Sequence, residues 1–303
     1  MKFENMDELR VALACARDGS LTAAAMALQI TPAAASASLK RLEARLAVRL
    51  FERSTRSMRI TPQGELFCAY AQRALDLLDE ARGQLDAHHQ RLVGAIRLAA
   101  PSDLTRQILL PWLEVFSQQH PAVELHLTVG DAMRDLLRDQ VDVALRYGVL
   151  QDSTMVARRL FDAHRVVCAA PAYLERHGTP QHPDDLARHE CLSFHIRGRR
   201  HLVWQLESTQ SSPPERVEVR VNGRLSSDDA EVAHRWALAG QGIVYKSGLD
   251  MRHSLASGAL VRLLPQWQSA PMPLYAVLPS NRFIPARVRA LVDFLAQRFA
   301  ALG

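Results

Sequence analysis

Seven basic side chains crowd into the twenty residues from Lys40 to Arg59: Lys40, Arg41, Arg45, Arg49, Arg53, Arg56 and Arg59. Only Glu43 and Glu52 offset them, a local balance of +5 that equals the net charge of all 303 residues. The rest of the chain is therefore balanced. One concentrated cationic stretch in a balanced protein points to a polyanion. A solvated helix face is the plainer account of a charge run, so charge must be joined to geometry before it means nucleic acid.

Covalent and metal chemistry has little to stand on. Gly240-Gln241-Gly242 is an isolated G-x-G, and no phosphate-cradling G-x-x-x-x-G-K-[ST] occurs. His189-Glu190 has no second histidine four positions on, and the twelve histidines show no ligand spacing. Ser247, in Val244-Tyr245-Lys246-Ser247-Gly248, lacks the leading glycine of a nucleophile elbow. Cys15, Cys68, Cys168 and Cys191 are scattered, which fits buried small apolar residues rather than a disulfide framework or zinc ribbon. No catalytic residue, metal or cofactor is expected. The 48% apolar and 23% charged fractions are those of an ordinary globular chain. No apolar run approaches membrane-spanning length, and Met1–Glu8 is acidic where a secretory signal is basic, so a cytoplasmic location is expected.

The elements that must present the cationic stretch are short helices. Leu9, Ala12, Leu13 and Ala16 share one helical face, and Gly19 ends that helix. Ser20 can cap a second helix, Leu21 to Leu28. Thr31-Pro32 is a cap followed by a proline at the first helical position, and it opens a third helix to about Arg45. Its core face would be Ala35, Leu39 and Leu42; its outer face would be Ala33, Ser36, Ala37 and Lys40. Small outward residues let a helix approach the floor of a major groove, with Lys40 and Arg41 near phosphates or base edges. Alanine-rich sequence is also simply good helix former. Val48–Arg53 and Met58–Thr61 alternate like strands around the polar tip Ser54-Thr55-Arg56-Ser57, a small wing whose arginines can enter a minor groove or hold phosphate.

Gly19-Ser20-Leu21-Thr22-Ala23-Ala24-Ala25, the run Leu42–Arg53, Arg56, and Ile60-Thr61-Pro62-Gln63-Gly64 together resemble the winged helix-turn-helix of LysR-type transcriptional regulators, and the resemblance extends over the whole chain. It implies duplex DNA contacts at Ser20, Thr22, Thr31, Pro32, Ala33, Ser36, Ala37, Lys40, Arg41, Arg53, Thr55 and Arg56. Two departures stand out: Pro32, Ala33 and Ala37 replace the Gln-Pro start and later Arg frequent in that family, and Ala47 replaces a usual glycine.

Thr61-Pro62 repeats the cap-plus-proline signal. Phe67, Tyr70, Ala74, Leu77, Ala81, Leu85, His88 and Leu92 then recur at steps of three and four, a heptad-like seam that a second copy of the chain could cover. The resemblance implies a linker helix that pairs subunits into a homodimer or tetramer, with RNA polymerase as a further partner. His88-His89 reads as a surface pair, since adjacent residues do not face each other on a helix.

From Ala95 onward strands and helices alternate, which predicts parallel α/β sheet. Strands are expected at Ala95–Ala100, Val123–Val129, Val141–Tyr147, Val166–Ala170, Leu192–His195, Val217–Val221, Ile243–Lys246 and Leu274–Leu278. Helices are expected at Asp103–Gln119, Met133–Asp139, Pro171–His177, Asp229–Ala239 and Pro285–Phe299, the last returning to the first lobe. Such sheets bind ligands at strand carboxyl ends. Ser102 and Asp103 sit at one strand–helix junction, while Arg146 and Lys246 end two strands. Together they favour an anionic effector such as a small carboxylate. The resemblance implies a two-lobed, periplasmic-binding-protein-like domain with further contacts at Val129, Gly130, Phe194, His195, Ser227 and Asp228. The expected division is a winged helix-turn-helix over 1–62, a linker helix over 63–92 and the regulatory domain over 93–303. Lobe 1 would be about 93–163 with 268–303, and lobe 2 about 164–267. An enzyme, a transport-type solute receptor and a nucleoid protein are the rival readings. None of them needs both a DNA reader and a two-lobed sensor.

Overall fold

In the computed structural model the chain divides into two units, Met1–Arg91 and Leu92–Leu136 with Val141–Gly303. The structure describes residues 6–53, 58–85, 92–130, 141–148, 155–196, 198–279 and 284–302; for Arg53, 76–77 and 79–85 it describes the backbone alone.

The first unit opens with α1 (Met6–Asp18), α2 (Leu21–Ala27) and α3 (Pro32–Leu46). The start signals act as their chemistry dictates. Ser20 Oγ accepts the Ala23 amide at 3.4 Å, and Thr31 Oγ1 accepts the Ala34 amide at 3.2 Å with Pro32 behind it. Ala35, Leu39 and Leu42 of α3 are fully buried against Leu9, Ala12 and Cys15 of α1 and Ala24 and Ala25 of α2. The wing strands β1 (Phe51–Arg53) and β2 (Met58–Ile60) pair antiparallel, Phe51 opposite Ile60 and Arg53 opposite Met58. They are shorter than the alternation predicts. Glu43 Oε1 takes the amides of Leu50 (2.8 Å) and Phe51 (3.1 Å), so the approach to the wing is bonded to α3 rather than to a second strand.

Helix α4 (Pro62–Leu85) follows. A Cβ on Gly64 would stand 2.1 Å from the Leu50 carbonyl oxygen, so only glycine lets α4 start this close to the wing. Cys68, Ala71 and Leu75 pack on the core, and Phe67, expected in the seam, is half-buried there too. Among the described residues of α4, the large apolar side chains Leu66, Tyr70 and Leu78 are exposed and share a face with Ala74. Of the expected seam, Tyr70 and Ala74 are thus exposed and Phe67 is not. Leu77, Ala81 and Leu85 as side chains, and His88 as a residue, lie outside the described residues, while Leu92 packs on the core of the second unit.

Helix α3 closes on a strained residue. Ala47 is left-handed (φ 53°), and the Val48 amide reaches back to the Glu43 carbonyl at 3.2 Å. A side chain in that conformation costs about 1 kcal/mol or more relative to glycine. Ala47→Gly should therefore stabilise the first unit by roughly 0.5–1 kcal/mol, after the greater freedom of glycine in the unfolded chain is subtracted. A higher urea midpoint checks this.

The second unit begins with β3 (Gly94–Ala100), α5 (Ser102–Leu104), a π-helical turn (Thr105–Leu109) and α6 (Leu110–Gln119). It continues with β4 (Val123–Val129), β5 (Val143–Tyr147) and β6 (Val156–Phe161). Lobe 2 supplies β7 (Arg165–Ala169), α7 (Pro171–His177), a 3-10 turn (Pro183–Arg188), β8 (Cys191–Ile196), β9 (Arg199–Arg200), β10 (Val203–Ser208), β11 (Arg216–Arg220) and β12 (Ser226–Ser227). It then adds α8 (Ala230–Leu238), β13 (Ile243–Ser247), α9 (Arg252–Ala256), β14 (Val261–Leu263) and β15 (Trp267–Gln268). Strand β16 (Leu274–Leu278) and α10 (Ala286–Ala300) return to lobe 1, where Leu291, Leu295 and Phe299 join Ile96 and Phe116 in one core. The expected helix Met133–Asp139 lies outside the described residues.

The sheets correct one expectation. Lobe 1 orders its strands β4-β3-β5-β16-β6, and only β3 runs parallel to its neighbours β4 and β5; β16 is antiparallel to both β5 and β6. Lobe 2 orders β12-β8-β13-β7-β14, with β7 antiparallel to β13 and β14. A small antiparallel sheet β11-β10-β15 backs it. Alternation of strand and helix specifies crossovers, but a strand arriving from the other lobe can enter in either direction. The two inter-lobe crossings are tied together: Met272 N donates to Ala163 O (2.7 Å), Ser269 N to Arg165 O (3.0 Å) and Arg165 N to Ser269 Oγ (2.8 Å).

Candidate DNA-binding and effector-binding sites

On the first unit, α3 turns Ala33, Ala37 and Lys40 to the surface, with Ser36 half-buried beside them and Thr31 and Pro32 exposed at its start. Thr22 is exposed on α2, and the Ser20 hydroxyl is engaged in its cap. Lys40 forms no ion pair among the described residues. Arg41 departs from expectation. Its Nε bonds Glu8 Oε1 at 3.1 Å, and Arg45 Nη2 approaches Glu8 Oε2 at 2.9 Å. Glu8 is buried, so two of the seven cations are held by the protein's own acid rather than left for a partner. Sequence spacing cannot show a pairing between α1 and α3. The side chain of Arg53, and Thr55 and Arg56, lie outside the described residues.

In the second unit, the expected effector residues bond one another across the lobes. Ser102, fully buried, donates through Oγ to Asp229 Oδ1 at 2.5 Å. Arg106 adds contacts to Asp229 (3.3 Å) and Glu231 (3.8 Å). Burial pushes the Asp229 carboxyl up. The bonds from Ser102 and the Glu231 amide and the charge of Arg106 outweigh that and hold it below its ordinary value. Asp103 is buried between two lobe-2 groups: Lys246 Nζ forms an ion pair with Oδ2, and His234 Nδ1 lies 2.9 Å from Oδ1. His234 Nε2 lies 2.9 Å from Ser254 Oγ. Both ring nitrogens of His234 thus have a polar partner. Lys246 also donates to Ala230 O at 2.7 Å. Tyr147 Oη donates to Asp250 Oδ1 at 2.6 Å, and burial with the Asp250 charge raises the phenol well above its ordinary value, so it stays a donor.

Lys246 is therefore no exposed strand-end charge. It is buried and compensated by Asp103. Arg146 is half-buried with a partner of its own. Val129 and Gly130 are exposed at the end of β4. Phe194 lies under Lys246 Nζ (5.1 Å to the ring centre), and His195 is half-buried beside it. Ser227 Oγ accepts the Asp229 amide at 3.0 Å, Asp229 caps α8, and Asp228 is exposed. Arg106, Tyr147, Asp229, His234 and Asp250 escape sequence reasoning, because each gains its role from a partner in the other lobe.

A second cluster gathers around Arg165 at the start of β7. Its guanidinium sits over Phe194 (5.8 Å) and Tyr245 (5.9 Å), with Nη1 3.4 Å from His201 Nε2. Burial first, and the Arg165 charge second, pull His201 down from 6.5 to about 4. Between those values the unfolded chain binds a proton that the folded chain refuses, so stability rises with pH across that window. The contribution is complete above about 6.5 and lost as pH falls toward about 4. His201→Gln should flatten that part of a plot of urea midpoint against pH.

All four cysteines are buried and none forms a disulfide, and burial raises Cys68 to about 11 and Cys168 to about 12. Among the described residues no His, Cys, Asp and Glu group could hold a metal, and no helix is long and apolar enough to cross a membrane.

A family model for the bacterial regulatory helix-turn-helix protein, LysR family, matches residues 6–65, and one for the LysR substrate binding domain matches residues 89–300. The chain is 34% identical to the HTH-type transcriptional regulator DmlR of Escherichia coli K12, over 97% of this chain and 94% of that protein. It is 31% identical to the HTH-type transcriptional activator AaeR of the same organism, over 99% and 96%. Among solved structures, CrgA, a LysR-type regulator from Neisseria meningitidis, aligns with a TM-score of 0.62 at 31% identity, over 97% of this chain and 99% of that one. Full-length AphB from Vibrio cholerae aligns at 0.60 and 27%, over 97% and 99%. A helix-turn-helix followed by a two-lobed α/β sensor defines a DNA-binding transcription regulator that answers to a small molecule, not an enzyme. The chain belongs to the LysR family of such regulators.

Proposed function

We propose that the first unit reads promoter DNA with α3 in the major groove and the wing against the backbone. Thr31, Pro32, Ala33, Ser36, Ala37 and Lys40 meet base edges and nearby phosphates, Ser20 and Thr22 lie alongside, and Arg53, Thr55 and Arg56 hold the adjacent strands. Arg41 serves chiefly to position α3 through Glu8. The division of labour follows residues 1–62, 63–92 and 93–303. The α4 face carrying Leu66, Tyr70 and Leu78 pairs with the same face of a second copy, and two such dimers can join as a tetramer. The effector is a small carboxylate taken up between the lobes, and it acts by favouring one lobe arrangement over another. The protein works in the cytoplasm on its promoter, where RNA polymerase is its further partner.

The observation that carries this reading is the α3 surface. Its buried face is spent on Ala35, Leu39 and Leu42, and the opposite face offers small side chains and one ammonium. Joint substitution Ser36→Val and Lys40→Gln should change which base pairs are protected on a bound duplex, by roughly 1–3 kcal/mol of discrimination for each base pair these side chains read. Footprints and base preferences identical to the parent's would contradict it.

A further inference from the structure

The lobe-2 cluster around Arg165 gives the effector reading a specific anchor. Two cations flank Phe194, and they differ in one respect. Lys246 is neutralised by Asp103, whereas Arg165 forms no ion pair with any described carboxylate. The only polar contact of its guanidinium among the described residues is His201 Nε2, at 3.4 Å. Burial lowers Arg165 from its ordinary value, and the nearby Tyr245 and Asp250 offset that only in part, with no carboxylate in ion-pair contact. The Phe194 and Tyr245 rings lie 5.8 and 5.9 Å from the guanidinium carbon, and the fork geometry of arginine suits a carboxylate approached edge-on.

Its place in the fold fits a ligand. Arg165 opens β7 opposite Ser247, at the carboxyl ends of the parallel strands β8 and β13, beside the two inter-lobe crossings. That is where open α/β sheets take small molecules. The neutral His201 accepts from Arg165 and adds no competing charge.

We infer that Arg165, steadied by Phe194, Tyr245 and His201, is the group that grips the carboxylate of the effector, in place of Lys246 and Arg146. This rests on the effector reading above. The test uses the full-length chain with benzoate and acetate as probes and benzamide and acetamide as uncharged counterparts, followed by thermal melting at fixed ionic strength. At least one carboxylate at millimolar concentration raises the melting temperature, and its amide does not. Arg165→Lys, which keeps the charge and loses the fork, raises the half-saturating concentration roughly 10-fold, and Arg165→Gln roughly 100-fold. If Arg165→Gln fails to fold, Arg165→Lys and the carboxylate–amide comparison decide the matter. Equal responses to acid and amide, no response to either acid, or unchanged saturation in the Arg165→Lys protein overturns the proposal. Duplex binding by the same preparations separates the two readings. Retained DNA binding with no carboxylate response removes Arg165 as anchor and leaves the regulator standing.

Discussion

Replacing Lys246 with methionine should destabilise the second unit by about 3–5 kcal/mol. The substitution leaves the Asp103 carboxylate buried between lobes with His234 as its remaining partner, and a buried charge without compensation is among the costliest single changes in a folded protein. The pair as a whole need not be worth that much, because both groups were stripped of water to form it. Asp103→Leu combined with Lys246→Met should therefore recover most of the loss. The cycle of two single variants and the double, followed by urea unfolding of the full chain, measures the coupling. A loss below about 1 kcal/mol in Lys246→Met would mean that the site is better hydrated than its burial indicates, on the scale of exposed pairs.

The second large effect concerns DNA. Arg53→Ala with Arg56→Ala should lower affinity for every duplex and reduce the slope of log affinity against log salt by about one to two, since each phosphate no longer neutralised means roughly one counterion fewer released. Arg41→Ala is the informative contrast. Its guanidinium is bonded to the buried Glu8, so its removal should lower the unfolding stability of the first unit and change the salt slope less. Equal slopes for the wing double variant and its parent would remove the wing from the interface.

What is legible in the sequence is local. The caps at Ser20 and Thr31, the proline at the start of α3 and the 3.6-residue spacing of Ala35, Leu39 and Leu42 are decided within one or two turns of chain, and they appear as expected. So do β4, α7 and β16, whose bounds match the residues read from the sequence. Strands carrying charge are harder. In β6, Val156 to Arg159 are exposed at the sheet edge, so no alternation announces a strand there. The effector region is half legible. Ser102, Asp103 and Lys246 stand out as polar groups at strand ends, but their partners Asp229 and His234 come from a distant stretch of chain. A charge that looks available in sequence can therefore be compensated in the fold, as Lys246 and Arg41 are. One that looks incidental, Arg165, can be left without an ion pair among the described residues.

The most direct measurement is selection of duplexes from a random library by the purified full-length chain at low salt. Reading by a dimer predicts enrichment of two related half-sites, separated by about 10–10.5 base pairs or a multiple of it, with preferences that shift when Ser36 and Lys40 are replaced. A pool left as random as it began, with no retention of double-stranded DNA, would contradict the account at its root.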